Sequence, residues 1–221
     1  METDQIISSA MYQPNHERDF KAIKSQAVKR LLEIEPDFLF DDSIKPVMRA
    51  LSLYFSHHPG FEDEGFGKLS KGIFLSGNIG CGKTTIMSAF KTVTMQSNEG
   101  VQQEQNIFNL QSTSKIVRKY MVNGLTDDLL SIFENRPGRF SKFCFDDLGV
   151  ENVSAKYMGN ELNLMAEIIL SRYENGYPFR SSHFTSNLAG DQIEKIYGTR
   201  VRSRLREMCN FLIIPGTDRR K

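Results

Sequence analysis

Apolar residues recur at helical spacing near the start of the chain. Between residues 19 and 33 they occupy positions 20, 23, 27, 28 and 31, and lysines and arginines take the other faces. A second stripe covers residues 44–55, with Ser43 as the predicted N-cap and Pro-Gly at 59–60 as the stop signal. The acidic stretch at 61–72 is typical of a surface loop. Two helices are therefore predicted, after a polar segment (residues 1–16) that is expected to be disordered or loosely attached.

After residue 66 the pattern changes to short apolar runs that alternate with helical ones. Five strands are predicted, at residues 72–76, 106–110, 142–145, 181–186 and 210–214, with helices between them that include residues 84–93 and 161–173. Strand–helix alternation with crossovers of this length is typical of a parallel sheet covered on both faces. The sequence thus predicts an α/β fold, divided into a helical N-terminal appendage (1–66) and a body (67–221).

Composition narrows the class of protein. Of the 221 residues, 39% are hydrophobic and 25% charged, which is ordinary for a soluble globular protein. No apolar run approaches the ~18 residues of a membrane span, and the N-terminus has no secretory signal pattern. The cysteines Cys81, Cys144 and Cys209 lie far apart, without the spacing of a zinc site. These features predict a reduced, cytoplasmic protein with no membrane partner.

Charge is distributed unevenly along the chain. Residues 1–66 contain 7 Lys/Arg against 12 Asp/Glu, whereas residues 67–221 contain 21 against 15. An acidic front and a basic body suit a partner-facing segment joined to a phosphate-handling body. The alternative is that the charges on solvated helix faces differ by chance between the two parts of the chain.

The strongest chemical signal is a glycine-rich loop between a predicted strand and a predicted helix. It matches the phosphate-binding pattern G-x-x-x-x-G-K-[ST], so the predicted nucleotide-binding residues are Gly77, Asn78, Ile79, Gly80, Cys81, Gly82, Lys83, Thr84 and Thr85. Its glycines let consecutive N–H groups point at phosphate oxygens, and the helix adds its positive end. Lys83 can reach the β- and γ-phosphates of ATP, and the Thr84 hydroxyl can bind Mg²⁺. Cys81 is either a small filler residue or a reactive thiol.

A second signal is the apolar run at residues 143–145, which ends in Asp146 and Asp147. With a phosphate-binding loop upstream, the first acid is predicted to hold Mg²⁺, directly or through water, and the second to polarise the attacking water. A solvated acidic turn is the alternative. Glu151, a few residues later, is predicted to be a loop or helix-start acid.

Four motifs in this order resemble the DnaC/IstB branch of the AAA+ ATPases, which comprises bacterial replicative-helicase loaders and ATP-dependent helpers of insertion-sequence transposases. They are the loop above, Phe-Asp-Asp-Leu-Gly-Val-Glu at 145–151, Phe-Thr-Ser-Asn-Leu at 184–188 and Tyr-Gly-Thr-Arg-Val-Arg-Ser-Arg-Leu at 197–205. The resemblance covers about residues 68–216. It implies an AAA+ type P-loop NTPase fold, with a five-stranded parallel sheet between helices.

The resemblance also implies residue roles. Asp146 would be the Walker B metal residue, Asp147 would orient the hydrolytic water, and Asn187 would be sensor 1, between that water and the γ-phosphate. Arg200 would be an arginine finger that enters the ATP site of a neighbouring subunit. Two alternatives stay open: Thr-Ser-Asn as a simple strand-end turn, and a finger supplied by Arg202, Arg204 or Arg206.

This sequence departs from most AAA+ proteins in two places. Asp147 stands where most of them have the longer Glu, so weaker water activation is expected. A C-terminal helical lid is not expected after the fifth strand, as in other proteins of this branch. Arg219 and Arg220 either help to clamp the nucleotide or belong to a flexible basic tail. Residues 1–66 are either a reduced partner-binding module or a helix pair that packs on the ATPase core.

The helix after the second strand offers a DNA-binding surface. Related ATPases line a DNA groove in this region, where the present chain has Lys115, Arg118 and Lys119. Such side chains bind phosphates without sequence preference. A solvated helix face is the alternative, and the neighbouring Tyr120 either stacks on a base or belongs to the core.

The predicted function is that of a Mg²⁺-dependent ATPase that acts on DNA as a DnaC-like helicase loader or replication protein, with Lys83, Asp147, Asn187 and Arg200 as catalytic residues. Predicted partners are single-stranded DNA, a replicative helicase or transposase, and further copies of the chain through Arg200. Alternatives are an IstB-like transposition helper and a nucleotide-gated adapter with incidental hydrolysis. A small-molecule kinase is disfavoured, since it leaves the Asn187 and Arg200 motifs without a purpose.

Overall fold

The computed structural model describes residues 15–96, 102–133, 141–216 and 218–219, apart from the side chains of 93–96 and 102–106. Its helices are α1 (His16–Ile34), α2 (Lys45–Phe55), α3 (Gly60–Asp63), α4 (Lys83–Phe90), α5 (Thr113–Asn123), α6 (Asp127–Phe133), α7 (Leu164–Glu174) and α8 (Gly190–Met208). Its strands are β1 (Gly72–Gly77), β2 (Thr92–Gln96), β3 (Gln102–Asn106), β4 (Asn109–Ser112), β5 (Phe143–Leu148), β6 (Ala155–Tyr157), β7 (Asn160–Leu162), β8 (Ser182–Ser186) and β9 (Cys209–Ile214). Among these helices, none has the length and apolar character of a membrane span.

Five parallel strands form the central sheet in the order β4-β5-β8-β1-β9. Strand β1 lies between β8 and β9, so that Phe74 is opposite Phe184 on one side and Phe211 on the other. The predicted parallel sheet of five strands is confirmed. The second of these five strands along the chain, β4, begins at Asn109, three residues later than expected.

Alternate side chains of β1 enter two apolar clusters, one on each face of the sheet. Ile73 and Leu75 pack with α1, α2 and α4, whereas Phe74 packs with α5, α6, α7 and α8. Strands that are apolar on both faces are what a parallel sheet between two helical layers requires. The prediction of helices on both faces is therefore confirmed.

The N-terminal helices belong to the first of these clusters. Leu31 of α1 and Tyr54 of α2 are fully buried with Phe90 of α4, and the Tyr54 hydroxyl donates to the Lys71 carbonyl at 2.6 Å. Packing of this segment on the α/β core, one of the two alternatives, is thus the observed arrangement. Partner binding and the division at residue 66 stay predictions, and residues 1–14 lie outside the described ranges.

Two predicted helices have different limits because strands take part of their sequence. The helix expected at 84–93 ends at Phe90, and the β-branched run from Thr92 enters the antiparallel β2–β3 hairpin. The helix expected at 161–173 begins at Leu164, because residues 160–162 pair with β6 across a turn at Met158–Gly159. Both hairpins were missed by the sequence prediction.

Two local expectations in the N-terminal third are wrong. Ser43 is not a helix cap: Ile44 precedes α2, and the Ser43 hydroxyl instead bonds to the Asp41 carboxylate. The stretch at 61–72 is not simply a surface loop, because it begins within α3 and buries Phe61 completely. For Ser43 a local bond to Asp41 decided the conformation, and for Phe61 burial in the first cluster did.

Helix α8 changes direction at Gly198. The backbone there (φ 88°, ψ 163°) is non-helical and lies in a region that essentially only glycine adopts. Tyr197 before the kink and Val201 after it are both buried in the second cluster. The kink thus sets the direction of the half of α8 that carries Arg200.

Candidate nucleotide-binding site

A cavity of about 430 Å³ lies at the carboxyl ends of the strands, beside the glycine-rich loop. It is lined by Glu35, Phe38, Ile79, Gly80, Gly82, Lys83, Thr84, Thr85, Asp147, Val150, Asn187 and Arg219. In open parallel sheets ligands bind at this edge, where the strand order reverses, and here that point is β1. Its volume is in the ~300–1,000 Å³ range of small-molecule sites.

The loop has the backbone that phosphate binding requires. Gly80 and Gly82 have positive φ angles of 77° and 92°, and α4 begins directly afterwards at Lys83. This conformation turns backbone N–H groups and a positive helix end toward the cavity. Lys83 is 5% exposed, and its ammonium donates to the carbonyls of Gly77 (2.9 Å) and Asn78 (3.0 Å). The loop therefore fits a polyphosphate.

Cys81 packs inside the loop. It is fully buried, and a Cβ atom on Gly77 would lie 2.7 Å from its sulfur. These contacts favour the filler interpretation over a reactive thiol. The side chain of Asn78 holds the other end of the loop, since its Nδ2 donates to the Gly216 carbonyl at 2.9 Å.

Thr84 and Asp146 form a pair of hard oxygen donors of the kind that Mg²⁺ prefers. The Thr84 hydroxyl lies 3.0 Å from each carboxylate oxygen of Asp146. Burial, and to a lesser degree the neighbouring Asp147, raises the pKa of the Asp146 carboxyl, against hydrogen bonds from Thr185 and Thr84 that lower it. A divalent cation would compensate this buried charge, so the donor set fits the metal.

Thr185 of β8 joins the two acids, a role that the sequence prediction missed. Its hydroxyl donates to Asp146 at 2.6 Å and accepts the backbone N–H of Asp147 at 2.8 Å. The Thr113 hydroxyl donates to the Asp147 carbonyl at 2.9 Å. These contacts hold Asp147 in a left-handed conformation (φ 58°) and on the cavity wall with Asn187. The position of Thr185, two residues before Asn187 in the same motif, was the available signal.

The segment after α1 forms one wall of the cavity, which sequence reasoning also missed. The Thr85 hydroxyl donates to the Glu35 carboxylate at 3.1 Å. Phe38 covers the loop so closely that a Cβ atom on Gly82 would lie 2.7 Å from its ring. The N-terminal helices are thereby connected directly to the predicted phosphate-binding residues.

Arg219 forms another wall. Its backbone N–H donates to the Gly80 carbonyl at 2.9 Å, and its guanidinium bonds to the carboxylate of Asp41 at 3.1 Å and the hydroxyl of Ser43 at 2.6 Å. The residue is 8% exposed, and its Nε has no hydrogen-bond partner among the described residues. The flexible-tail alternative is therefore wrong for Arg219, and Arg220 lies outside the described ranges.

Solved structures share the fold of this chain, although no family model and no curated protein sequence matches it. The crystal structure of the DnaC helicase loader aligns with a TM-score of 0.50 at 20% identity, over 79% of this chain and 92% of the other. A candidate primosome component from Streptococcus pyogenes serotype M3 aligns with a TM-score of 0.52 at 18% identity, over 84% and 87%. The chain has the fold of the DnaC-like P-loop ATPases. The expected resemblance to this branch is confirmed in the fold.

Within this DnaC-like fold Arg200 lies away from the cavity of its own chain. It follows the kink in α8, its side chain is 64% exposed, and it forms an ion pair with Glu174 of α7. Of the competing arginines, Arg202 pairs with Glu194 and Arg204 stacks 4.1 Å from the Tyr173 ring, whereas Arg206 is exposed and stays an alternative. Action of Arg200 in trans stays a prediction.

The predicted DNA-binding residues of the DnaC-like fold form one exposed face of α5. Lys115, Arg118 and Lys119 are exposed and form no ion pair with another described residue. Tyr120, on the opposite face, is 4% exposed and packs in the second cluster, so its base-stacking alternative is wrong. Three unpaired cations on one face would suit a phosphate backbone.

Proposed function

We propose that this protein is a Mg²⁺-dependent ATPase that acts on DNA as a DnaC-like helicase loader. One observation carries the proposal. A single cavity brings together the Lys83–Thr84 end of the loop, Asp147 and Asn187, which come from three neighbouring strands of a DnaC-like sheet. The DnaC structure that the fold resembles is that of a helicase loader.

The residues divide the hydrolysis of ATP among them. Lys83 and the N–H groups at the start of α4 bind the β- and γ-phosphates, and Thr84 and Asp146 hold Mg²⁺, which supplies charge neutralisation at those phosphates. Asp147 accepts a hydrogen bond from the attacking water, and Asn187 bonds between this water and the γ-phosphate. Phe38 and Arg219 cover the loop and exclude bulk solvent.

The site is completed by a second copy of the chain. Because Arg200 is exposed and lies outside its own cavity, it is available to a neighbouring subunit once its ion pair with Glu174 opens. An exposed ion pair is worth only about 0–1 kcal/mol, so an ATP-bound neighbour can replace it. Assembly then raises the rate, since an added arginine stabilises charge on the transferred phosphoryl group.

The test begins with nucleotide binding. ATP and Mg²⁺ at 100 times the Kd should stabilise the wild-type protein by about 2.7 kcal/mol through mass action. Lys83→Ala should lose this stabilisation, and Lys195→Ala, an exposed lysine on α8, should keep it. Calorimetric unfolding with and without ATP measures both. Equal stabilisation of wild type and Lys83→Ala would refute the nucleotide site.

The second test concerns turnover and assembly. The ATPase rate per subunit should rise with protein concentration and with single-stranded DNA, and Arg200→Ala should remove the rise while leaving ATP affinity unchanged. A rate that does not depend on concentration, DNA or Arg200 would exclude a trans-activated ATPase and favour a nucleotide-gated adapter.

The DNA surface is tested separately. Replacing Lys115, Arg118 and Lys119 by alanine should weaken binding of single-stranded oligonucleotides and flatten its salt dependence. A matched control replaces three exposed lysines of α1, Lys21, Lys24 and Lys29. Fluorescence anisotropy at several salt concentrations distinguishes the two variants. The same loss in both would indicate a general charge effect instead of a binding face.

A further inference from the structure

A buried acid–phenol contact connects the nucleotide site to the helix that carries Arg200. Glu151 is 6% exposed and Tyr197 is 7% exposed, and the Tyr197 hydroxyl donates to the Glu151 carboxylate. The other carboxylate oxygen accepts the backbone N–H of Gly149 at 2.8 Å. Neither residue lines the cavity, and neither has a role in the hydrolysis described above.

One end of this contact is the turn that follows Asp147. The turn is closed by a hydrogen bond from the Val150 N–H to the Asp147 carbonyl at 3.1 Å. Gly149 within it has φ 102° and packs so tightly on Leu188 that an added Cβ would lie 2.3 Å away. Glu151 is thus bonded to a turn that begins at Asp147 and packs against Leu188, the residue after Asn187.

The other end is the kink in α8. Tyr197 directly precedes Gly198, where the backbone dihedral angles are non-helical. The Ile196 carbonyl accepts a bond from the Asn163 side chain at 3.2 Å, and the Thr199 hydroxyl donates to Glu194 at 2.8 Å. The Tyr197–Glu151 bond therefore links the kink to the turn after Asp147.

Because it is buried, this hydrogen bond can hold the kink in α8 in one orientation relative to the turn after Asp147. In a low-dielectric environment a hydrogen bond to a carboxyl group is stronger than in water, and an unpaired buried carboxyl group is costly. Burial, together with the nearby Glu151, raises the pKa of the Tyr197 phenol, so this hydroxyl remains a donor. The bond consequently constrains the turn and the kink to one relative placement.

We propose that Glu151 and Tyr197 are positioning residues that hold the Arg200-bearing half of α8 in the direction that a neighbouring subunit requires. The proposal rests on the proposed function, specifically on the action of Arg200 in trans. Without the Tyr197 hydroxyl, the kink at Gly198 loses its hydrogen-bonded constraint to the turn, and the finger is presented to the neighbour only part of the time.

A mixing experiment with two defective subunits tests this. Lys83→Ala subunits donate an arginine finger and lack a working site, whereas Arg200→Ala subunits have the site and lack the finger. The mixture should recover ATPase activity that neither has alone. Tyr197→Phe in the finger donor should lower the recovered rate at least tenfold, and the same change in the Arg200→Ala subunit should lower it less than twofold.

Several variants separate positioning from stability. Glu151→Gln in the donor should retain most of the rate, because the glutamine Oε1 can accept the Gly149 N–H while its Nε2 donates to the Tyr197 hydroxyl oxygen. Tyr54→Phe in the donor, which also removes a buried hydroxyl but on the opposite face of the sheet, should have no effect. Gly198→Ala, whose Cβ would contact nothing within 4 Å, should reproduce the donor-specific loss through the backbone alone.

The outcomes are distinguishable. No recovered activity in the mixture would overturn the trans role of Arg200 and the positioning role with it. Recovered activity that neither Tyr197→Phe nor Gly198→Ala in the donor reduces would overturn the positioning alone. Equal losses from Tyr197→Phe in either subunit would identify a structural role and would also overturn it.

Discussion

At the scale of single residues, position 147 requires a left-handed backbone conformation and, for the proposed hydrolysis, a carboxylate side chain. Its left-handed φ of 58° is tolerated by Asp and Asn and disfavoured for most other residues. Asp147→Asn should therefore unfold at the wild-type temperature but lower turnover about 100-fold or more, because the amide no longer accepts the water proton. Thermal unfolding and steady-state ATPase rates measure the two effects.

Asp147→Ala serves as the backbone control. It should have the same low turnover and in addition be about 1 kcal/mol less stable than Asp147→Asn, from strain at the left-handed position. Full activity of Asp147→Asn would contradict the assignment of Asp147. If Asp147→Asn lost turnover but kept helicase binding, DNA binding and function in cells, the adapter alternative would be supported instead.

His183 predicts a specific dependence of stability on pH. It is fully buried in β8, and its Nδ1 accepts the Ile73 N–H at 3.1 Å. Burial, and then the charge of Arg180, lowers its pKa from 6.5 to about 3. Because the unfolded chain takes up the proton first, the stabilisation is complete above about pH 6.5 and is lost as pH falls toward 3, by about 1.4 kcal/mol per pH unit.

His183→Asn isolates this effect, since asparagine can accept the same N–H and does not titrate. Between pH 6 and pH 4 the free energy of unfolding of this variant should fall less steeply than that of wild type. The two slopes should differ by about 1.4 kcal/mol per pH unit. Urea denaturation at several pH values measures both slopes, and the carboxylates common to both proteins cancel. Parallel curves would show that His183 is not the titrating group.

At the scale of elements, Arg172 connects α7 with α6 and β8. Its guanidinium is fully buried and donates to Ser182 Oγ (2.8 Å), the Ile132 carbonyl (3.0 Å) and the Ser141 carbonyl (2.9 Å), and it lies 4.0 Å from the Tyr177 ring. Burial lowers the pKa of Arg172 to about 10, so it stays charged at neutral pH. An Arg at the end of an amphipathic helix pattern gave no sequence signal for this role.

Arg172→Leu should lower the free energy of unfolding by about 3 kcal/mol or more, because it leaves several buried carbonyl groups without donors. Arg118→Leu, an exposed arginine on α5, should change it by less than about 0.5 kcal/mol. Urea denaturation measures both. A loss below 1 kcal/mol for Arg172→Leu would mean that water or a rearrangement replaces these bonds.

Secondary elements were predictable to different degrees. All five sheet strands were predicted, although β4 (Asn109–Ser112) is largely polar and was placed three residues too early, and α2 was assigned to within one residue of its observed bounds. The β2–β3 and β6–β7 hairpins were missed because their sequences are polar or short. The limits of α4 and α7 were displaced for the same reason, since neighbouring residues gained more from strand pairing than from another helical turn.

At the scale of the whole molecule, Arg219 near the end of the described residues contacts Asp41 of the N-terminal part beside the candidate nucleotide cavity. They are 178 positions apart, and the Ser43 hydroxyl also joins the contact. Hydrogen bonds from Ser43, followed by the Arg219 guanidinium, lower the pKa of the Asp41 carboxyl. The contact therefore holds the segment that carries Glu35 and Phe38 against the loop.

Arg219→Gln should weaken binding of a fluorescent ATP analogue severalfold and lower the unfolding temperature. Asp41→Asn should do the same to a lesser extent, and the double variant should be no worse than Arg219→Gln, because both changes break one contact. Arg49→Gln, which removes an ion pair with Glu64 on the same N-terminal helices, should leave nucleotide affinity unchanged. Additive losses in the double variant would show that the two residues act independently.

The sequence by itself determined the α/β class, the five strands and the phosphate-binding loop. Each of these is encoded within about ten neighbouring residues: the loop by its glycines and Lys83, and the strands by apolar runs with turn residues beside them. The acids at 146 and 147 were recognised for the same reason, as they follow such a run. Their catalytic role stays a prediction.

Only the tertiary structure decided which distant residues meet at the site. Thr185 lies 39 positions from Asp146, Tyr197 46 from Glu151 and Arg219 178 from Asp41. A Thr, a Tyr or an Arg has no local pattern that specifies its partner. Their contacts arise because the order of strands in the sheet and the packing of α1 and α8 on its faces place those side chains side by side.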